Sequence, residues 1–147
     1  MGNKAKIVLV AEDDPQDRDL LRYAAANAEG AVVLHFVNQG EQAIAYLNGQ
    51  GIFADRKIHP LPDLFLLDMK LPGLNGLEVL NWVKNSGQFN NLTVFFLSDS
   101  ADPHVLEQVK NAQATFVRKP DDLNGWVEFV RGLAAYSQPD PPAPEAI

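Results

Sequence analysis

The chain has 147 residues, enough for one domain with a proper core, and its 46% hydrophobic and 21% charged content argues against wholesale disorder. A formal net charge of -7 speaks against tracking a nucleic-acid backbone, which needs clustered Lys and Arg. Cysteine is absent, which excludes disulfides, thiol catalysis and Cys-ligated zinc or iron–sulfur centres.

Lys6–Val10 is an apolar run that reads as a buried strand. Asp14 followed by Pro15 is a strong helix start, with Asp at the N-cap and Pro at the first helical position. Leu20, Leu21, Ala24, Ala25 and Ala28 then follow at helical spacing. Val32–Val37 predicts a second strand, and Ile44 and Leu47 a second helix. Residues 48–62 form a connection longer than compact domains ordinarily use, so this loop is either a specific contact surface or a mobile insertion. Leu64–Leu67, Thr93–Leu97 and Thr115–Val117 supply three more strands. Between and after them, Val79, Leu80 and Val83, then Val105, Leu106 and Val109, then Leu123, Val127 and Val130 beside Trp126, mark three more helices. Trp126, Phe129, Val130 and Tyr136 either pack internally, which is the default, or form a homodimer face. Residues 1–137 are expected to be one domain. The proline-rich stretch 138–147 is expected to be a frayed tail, which leaves no DNA-binding output module. No apolar run is long enough to span a bilayer and no signal peptide opens the chain, so a soluble, cytoplasmic protein is expected, bound to neither membrane nor nucleic acid.

Continuous apolar strands alternating with amphipathic helices imply an open α/β fold, a parallel sheet covered on both faces and joined by right-handed crossovers. Such sheets take ligands beyond the carboxyl ends of their strands. Here those ends are Glu12-Asp13-Asp14, Asp68, Ser98 and Lys119-Pro120. Crowded carboxylates invite a hard divalent cation, and Mg²⁺ is the usual answer to oxygen-only ligands. Asp68 could act as a nucleophile toward phosphorus and form an acyl phosphate, while Lys119 and the Ser98 hydroxyl stabilise the transferring group. Each residue alone has a plainer reading: Asp14 as a helix cap, Asp68 as a solvated strand-end carboxylate, Ser98 as a loop residue, Lys119 as an exposed lysine, Phe116 as core. Their joint occurrence at four strand ends is what favours chemistry.

Over residues 6–136 the chain resembles the receiver domain of bacterial response regulators. The segments that carry the resemblance are Val8–Pro15, Leu66–Leu77, Val94–Ser98 and Phe116–Pro120, and the run from Asp68 through Pro72 to Gly76 is the most specific. The resemblance implies a flavodoxin-like, doubly wound (βα)5 three-layer sandwich, its parallel sheet ordered 2-1-3-4-5. It implies Asp68 as phosphoacceptor, and Glu12, Asp13, Asp68 and the Lys70 backbone carbonyl around Mg²⁺ or Mn²⁺. Ser98 and Lys119 become the phosphoryl contacts, Ser98 and Phe116 the switch pair, and Pro120 a cis proline. A histidine kinase would be the donor and a downstream protein the receiver of the signal. The long loop with His59-Pro60-Leu61-Pro62 looks like the stand-alone subfamily that serves phytochrome-type kinases.

Three positions depart from the family pattern: Asp99 beside the switch serine adds negative charge at the pocket gate, Phe116 replaces the commoner tyrosine, and Ala112-Gln113 stands where Gly-Ala is usual. The leading reading is a phosphorylation-driven switch that acts on no separate substrate, self-catalysing only its own phosphorylation and dephosphorylation. An aspartate-nucleophile phosphatase would need an acid two residues after Asp68, where Lys70 stands. The alternative is a pseudo-receiver that binds partners without phosphorylation, toward which Asp99 alone leans.

Overall fold

The computed structural model describes residues 4–137; the expected tail at 138–147 lies outside the described residues. Five strands, β1 (Lys6–Ala11), β2 (Val32–Val37), β3 (Leu64–Asp68), β4 (Thr93–Ser98) and β5 (Thr115–Arg118), alternate with five helices. The helices are α1 (Pro15–Ala26), α2 (Gly40–Asn48), α3 (Gly76–Asn85), α4 (Pro103–Asn111) and α5 (Leu123–Ala135). All strand pairs are parallel and the order is β2-β1-β3-β4-β5, as the resemblance implied.

Four strands run one residue further than their apolar patterns. Ala11 pairs with Val37 and Leu67, Asp68 with Leu97, and Ser98 with Arg118. Ladder pairing therefore holds Asp68 and Ser98 as strand residues, with fixed direction, although polarity marked them as loop starts. Side chains alternate across the sheet and build two cores. Leu9, Ala11, Phe65, Leu67 and Phe96 pack against α2, α3 and α4 through Tyr46, Leu47, Val79, Leu80, Val83 and Val109. Val8, Val10, Leu64, Leu66, Phe95 and Leu97 face α1 and α5 through Leu21, Ala24, Trp126, Val130 and Leu133. Covering β3 on both sides is why all five of its residues are buried, Asp68 included.

Helix α1 begins as expected, with the Asp14 side chain accepting from the Gln16 amide and Pro15 at the first position. Two helical stripes differ from the apolar spacing. In α2 the buried face is Gly40, Ala43, Tyr46 and Leu47, while Ile44 is half-exposed, because the tyrosine fills the space under the long loop. In α5 the buried stripe is Trp126, Val130 and Leu133, and Leu123 sits exposed in the first turn. Phe129 and Tyr136 pack edge-on to Phe95, so the aromatics of the last helix serve the internal core.

The 48–62 connection is a packed loop. Gly49 ends α2 in the left-handed region at φ +64°, where glycine carries no steric cost. Arg56 then donates from Nη1 to the carbonyls of Tyr46 (2.8 Å) and His59 (3.1 Å), and from Nη2 to Leu47 (2.7 Å). These bonds satisfy the Leu47 carbonyl at the end of α2, add a second donor to the Tyr46 carbonyl beside the Gly49 amide, and tie both to His59 in the loop. Phe53 and His59 pack edge to face, both rings lie against Tyr46, and the Tyr46 hydroxyl donates to the Pro60 carbonyl (2.8 Å).

Candidate functional site

Among the described residues the buried polar or charged side chains are Glu12, Asp68 and Ser98, at 0%, 4% and 2% exposure. All three lie at the carboxyl edge of the sheet, Glu12 just past β1 and Asp68 and Ser98 as the last residues of β3 and β4. Burying two carboxylates side by side is costly unless something compensates their charge. Lys119, just past β5, supplies that charge. Its Nζ lies 2.7 Å from Asp17, 3.0 Å from Asp68 and 3.1 Å from Glu12.

Backbone contacts aim this group. The Glu12 amide donates to Val37, the Met69 amide to Leu97, and the Lys119 amide to Ser98 (2.8 Å), which extends the ladder past each strand end. The loop after Asp68 is held by Gly76, whose amide donates to the Met69 carbonyl (3.0 Å). A Cβ at position 76 would collide with the Asp68 carbonyl oxygen and the Met69 Cα. That close approach is the physical content of the Asp68–Pro72–Gly76 spacing. Asn75 and Glu78 then close a capping box on α3.

The electrostatics follow from burial. Desolvation raises the Glu12 carboxyl to about 7, the Asp68 charge pushes the same way, and Lys119 only partly offsets them. Asp68 is also raised, mainly by burial, with Lys119 opposing and Asp99 and Asp17 adding to the rise. Burial would lower Lys119, but its hydrogen bond to Asp17 and the charges of Asp68 and Glu12 outweigh that and hold it firmly protonated.

Glu12, Asp13 and Asp68 each bring a carboxylate oxygen within 4.8 Å of the others. Asp13 is exposed and shares an open cleft with Lys70, Pro72, Asn75 and Val105. Glu12 Oε1 accepts from the Asp14 amide (3.1 Å). The buried Oε2 lies near Lys119 but accepts no aligned hydrogen bond among the described residues. An all-oxygen donor set with one under-coordinated buried oxygen fits a hard divalent cation.

The remaining expected residues gather around this core. The Ser98 hydroxyl donates to the Ser100 carbonyl (2.9 Å) and accepts from the Ser100 amide (3.3 Å), so it is engaged with its own loop. Asp99 is exposed beside it. Phe116 is half-buried, its ring 6.4 Å from that of Phe96. One expectation is corrected: the Lys119–Pro120 bond is trans, and no cis peptide occurs among the described residues. The trans isomer is intrinsically favoured even before proline, and here the chain needs no reversal. With the Lys119 amide on Ser98, Pro120 lies against Gly125 in the first turn of α5. Asp17 was missed by sequence reasoning. An acid in a helix's first turn is ordinarily read as a dipole partner, and nothing local shows that it meets a lysine 102 positions away.

The family model of the response regulator receiver domain matches residues 8–131. The chain belongs to the response regulator receiver family. As a receiver it is similar to response regulator Rcp1 of Synechocystis sp., 26% identical over 136 residues, covering 92% of this chain and 90% of that one. It spans only half the length of the nitrate/nitrite response regulator NarL of Escherichia coli, at 26% identity. Among solved structures, the response regulator RPA3017 in red light signaling of R. palustris superposes with a TM-score of 0.80 at 32% identity, covering 87% of this chain and 90% of that one. The phosphorylated cyanobacterial phytochrome response regulator RcpA superposes with a TM-score of 0.79 at 28% identity, covering 88% and 91%. This receiver thus shares its fold and most of its length with phytochrome response regulators. Among its described residues no helix is long and apolar enough to cross a membrane.

Proposed function

We propose that this receiver accepts a phosphoryl group on Asp68 from a phosphohistidine of a partner histidine kinase and passes the signal on by altered protein–protein contacts. One observation carries the reading: a buried strand-end carboxylate, Asp68, lies 3.0 Å from a lysine ammonium and within 4.8 Å of two further carboxylates. A desolvated carboxylate is a better nucleophile than a hydrated one, and Lys119 keeps it ionised enough to react. An Asp68 oxygen attacks phosphorus as the nitrogen–phosphorus bond breaks. The electron pair goes to the imidazole nitrogen, and the product is an acyl phosphate. Lys119 hands one N–H from Asp68 to a phosphoryl oxygen and stabilises charge there. A divalent cation, Mg²⁺ or Mn²⁺, held by Glu12, Asp13, Asp68 and the Lys70 carbonyl, would supply charge neutralisation at the phosphoryl oxygens.

Ser98 must break its bond to Ser100 to reach the phosphoryl group. That shift opens space beside β4 for the Phe116 ring and biases the surface of the last two βα units toward a second state. The similarity to phytochrome response regulators supports a phytochrome-type kinase as donor, in the cytoplasm. A phosphorylation-independent binding module would be favoured by loss of an acid, the acceptor or the lysine. Glu12, Asp13, Asp68 and Lys119 all stand in the site, so that alternative gains no support.

Incubating the protein with a small phosphodonor and Mg²⁺, and separately with a histidine kinase and ATP, tests the reading. An acid-stable, hydroxylamine-labile adduct is expected in the wild type and absent from Asp68→Asn. No adduct under either condition would overturn it.

A further inference from the structure

Lys119 has three N–H groups and three carboxylate neighbours, but the neighbours are not equivalent. Asp68 and Glu12 belong to the carboxylates that converge within 4.8 Å, whereas Asp17 does not. In the proposed chemistry Asp68 becomes an acyl phosphate and Glu12 would be drawn to a divalent cation, so neither remains a full acceptor for the ammonium. Asp17 has no such second duty. It makes the shortest contact of the three (2.7 Å), and it is the partner whose bond to Lys119 has hydrogen-bond geometry. Its side chain is 17% exposed, from the first turn of α1, where Asp14 and Pro15 fix the helix start. A helix-dipole role alone would leave this carboxylate in solvent. A lysine ammonium rides on a flexible four-carbon stem with many rotamers, so a fixed acceptor restricts where it can go.

We propose that Asp17 is a positioning residue for Lys119: it holds one N–H throughout the phosphorylation cycle, so that another stays directed at Asp68 and passes from it to the arriving phosphoryl oxygen. The inference rests on the proposed phosphorylation of Asp68 and deepens it. It separates the acceptor oxygen of Asp17 from its charge, because Asn offers an oxygen at the same place without the charge.

Phosphorylation rates with a small phosphodonor and Mg²⁺ should fall about tenfold or more in Asp17→Ala, as expected when a charge-stabilising group loses its alignment. In Asp17→Asn they should stay within about threefold of wild type, since the acceptor is retained. In a Lys119→Ala background, Asp17→Ala should change the rate no further, because the two residues act as one unit. A readout free of metal and phosphodonor accompanies the rates. The ¹⁵N ammonium signal of Lys119, protected from water exchange by its hydrogen bond, should persist in the wild type and Asp17→Asn and broaden away in Asp17→Ala. Wild-type rates in Asp17→Ala, equal losses for Ala and Asn, additivity with Lys119→Ala, or an unchanged ammonium signal would each overturn the proposal. Should Asp17→Ala fail to fold, the Asn variant and the wild-type ammonium signal still decide. If wild type forms no adduct, the phosphorylation reading fails, while the ammonium signal still reports whether Asp17 holds Lys119.

Discussion

Glu12→Gln is expected to stabilise the metal-free protein above neutral pH. Glu12 is fully buried, and its carboxyl rises from an ordinary 4.5 to about 7. The folded state therefore binds this proton more tightly than the unfolded chain, so stability is highest where Glu12 is protonated and declines as pH rises from 4.5 through 7. At about 1.4 kcal/mol per pH unit, the decline amounts to about 3 kcal/mol. Asp68, raised in the same direction, adds to it. Glutamine mimics the protonated form, keeps an oxygen for the Asp14 amide, and leaves Lys119 paired with Asp17 and Asp68. Urea unfolding in EDTA between pH 4.5 and 8.5 measures the effect. The variant should match wild type near the acid end and exceed it by about 3 kcal/mol at pH 8. His35, whose lowered value works in the opposite sense, is common to both proteins and cancels in the comparison. Adding Mg²⁺ at pH 8 should stabilise wild type more than the variant, since a ligand bound to the native state adds to its stability. A metal-free wild type whose stability stays flat or rises across this window, or a variant no more stable at pH 8, would refute the argument.

Gly76→Ala should cost about 2 kcal/mol, measured by urea unfolding, because its Cβ has no room against the Asp68 carbonyl and the Met69 Cα. Its phosphorylation rate should fall too, since the strain is delivered to the backbone that carries the acceptor. Arg56→Ala should destabilise by about 2 kcal/mol and expose residues 50–60 to proteolysis, as the Leu47 and His59 carbonyls lose their guanidinium donor and the Tyr46 carbonyl keeps only the Gly49 amide. Asp99→Ala should be phosphorylated roughly two- to fivefold faster by small anionic donors at low ionic strength, and the gain should shrink as salt screens the exposed charge. Equal rates at low salt would remove the gate role of Asp99.

The layer architecture was legible in the sequence because burial on two faces leaves an unbroken apolar run. Leu64–Leu67 announces a central strand in this way without knowledge of its neighbours. The convergence of Glu12, Asp13, Asp68, Ser98 and Lys119 was legible for a related reason. In a parallel sheet every strand end points the same way, so polar residues that close apolar runs share an edge. Helical faces were less legible. Apolar spacing in α5 suggested Leu123, Val127 and Val130 with Trp126 beside them; Trp126 and Val130 are buried, but Leu133 completes the stripe in place of Leu123, because the rotation of a helix is set by what it packs on.

Other features belonged wholly to the tertiary structure. The Asp17–Lys119 contact joins residues 102 positions apart, and no local pattern encodes a distance of that kind. The same holds for the stapling of the 48–62 loop by Arg56, whose charge in the sequence looks like that of any surface arginine. The isomer at Pro120, trans in the structure, is likewise not written in the Lys119-Pro120 dipeptide. By itself the sequence determined the period of each element and the polarity of each strand end, since both are written in neighbouring residues. Which carboxylates reach the lysine, and how strongly burial shifts them, was decided only once the strands were side by side and water was excluded from the site.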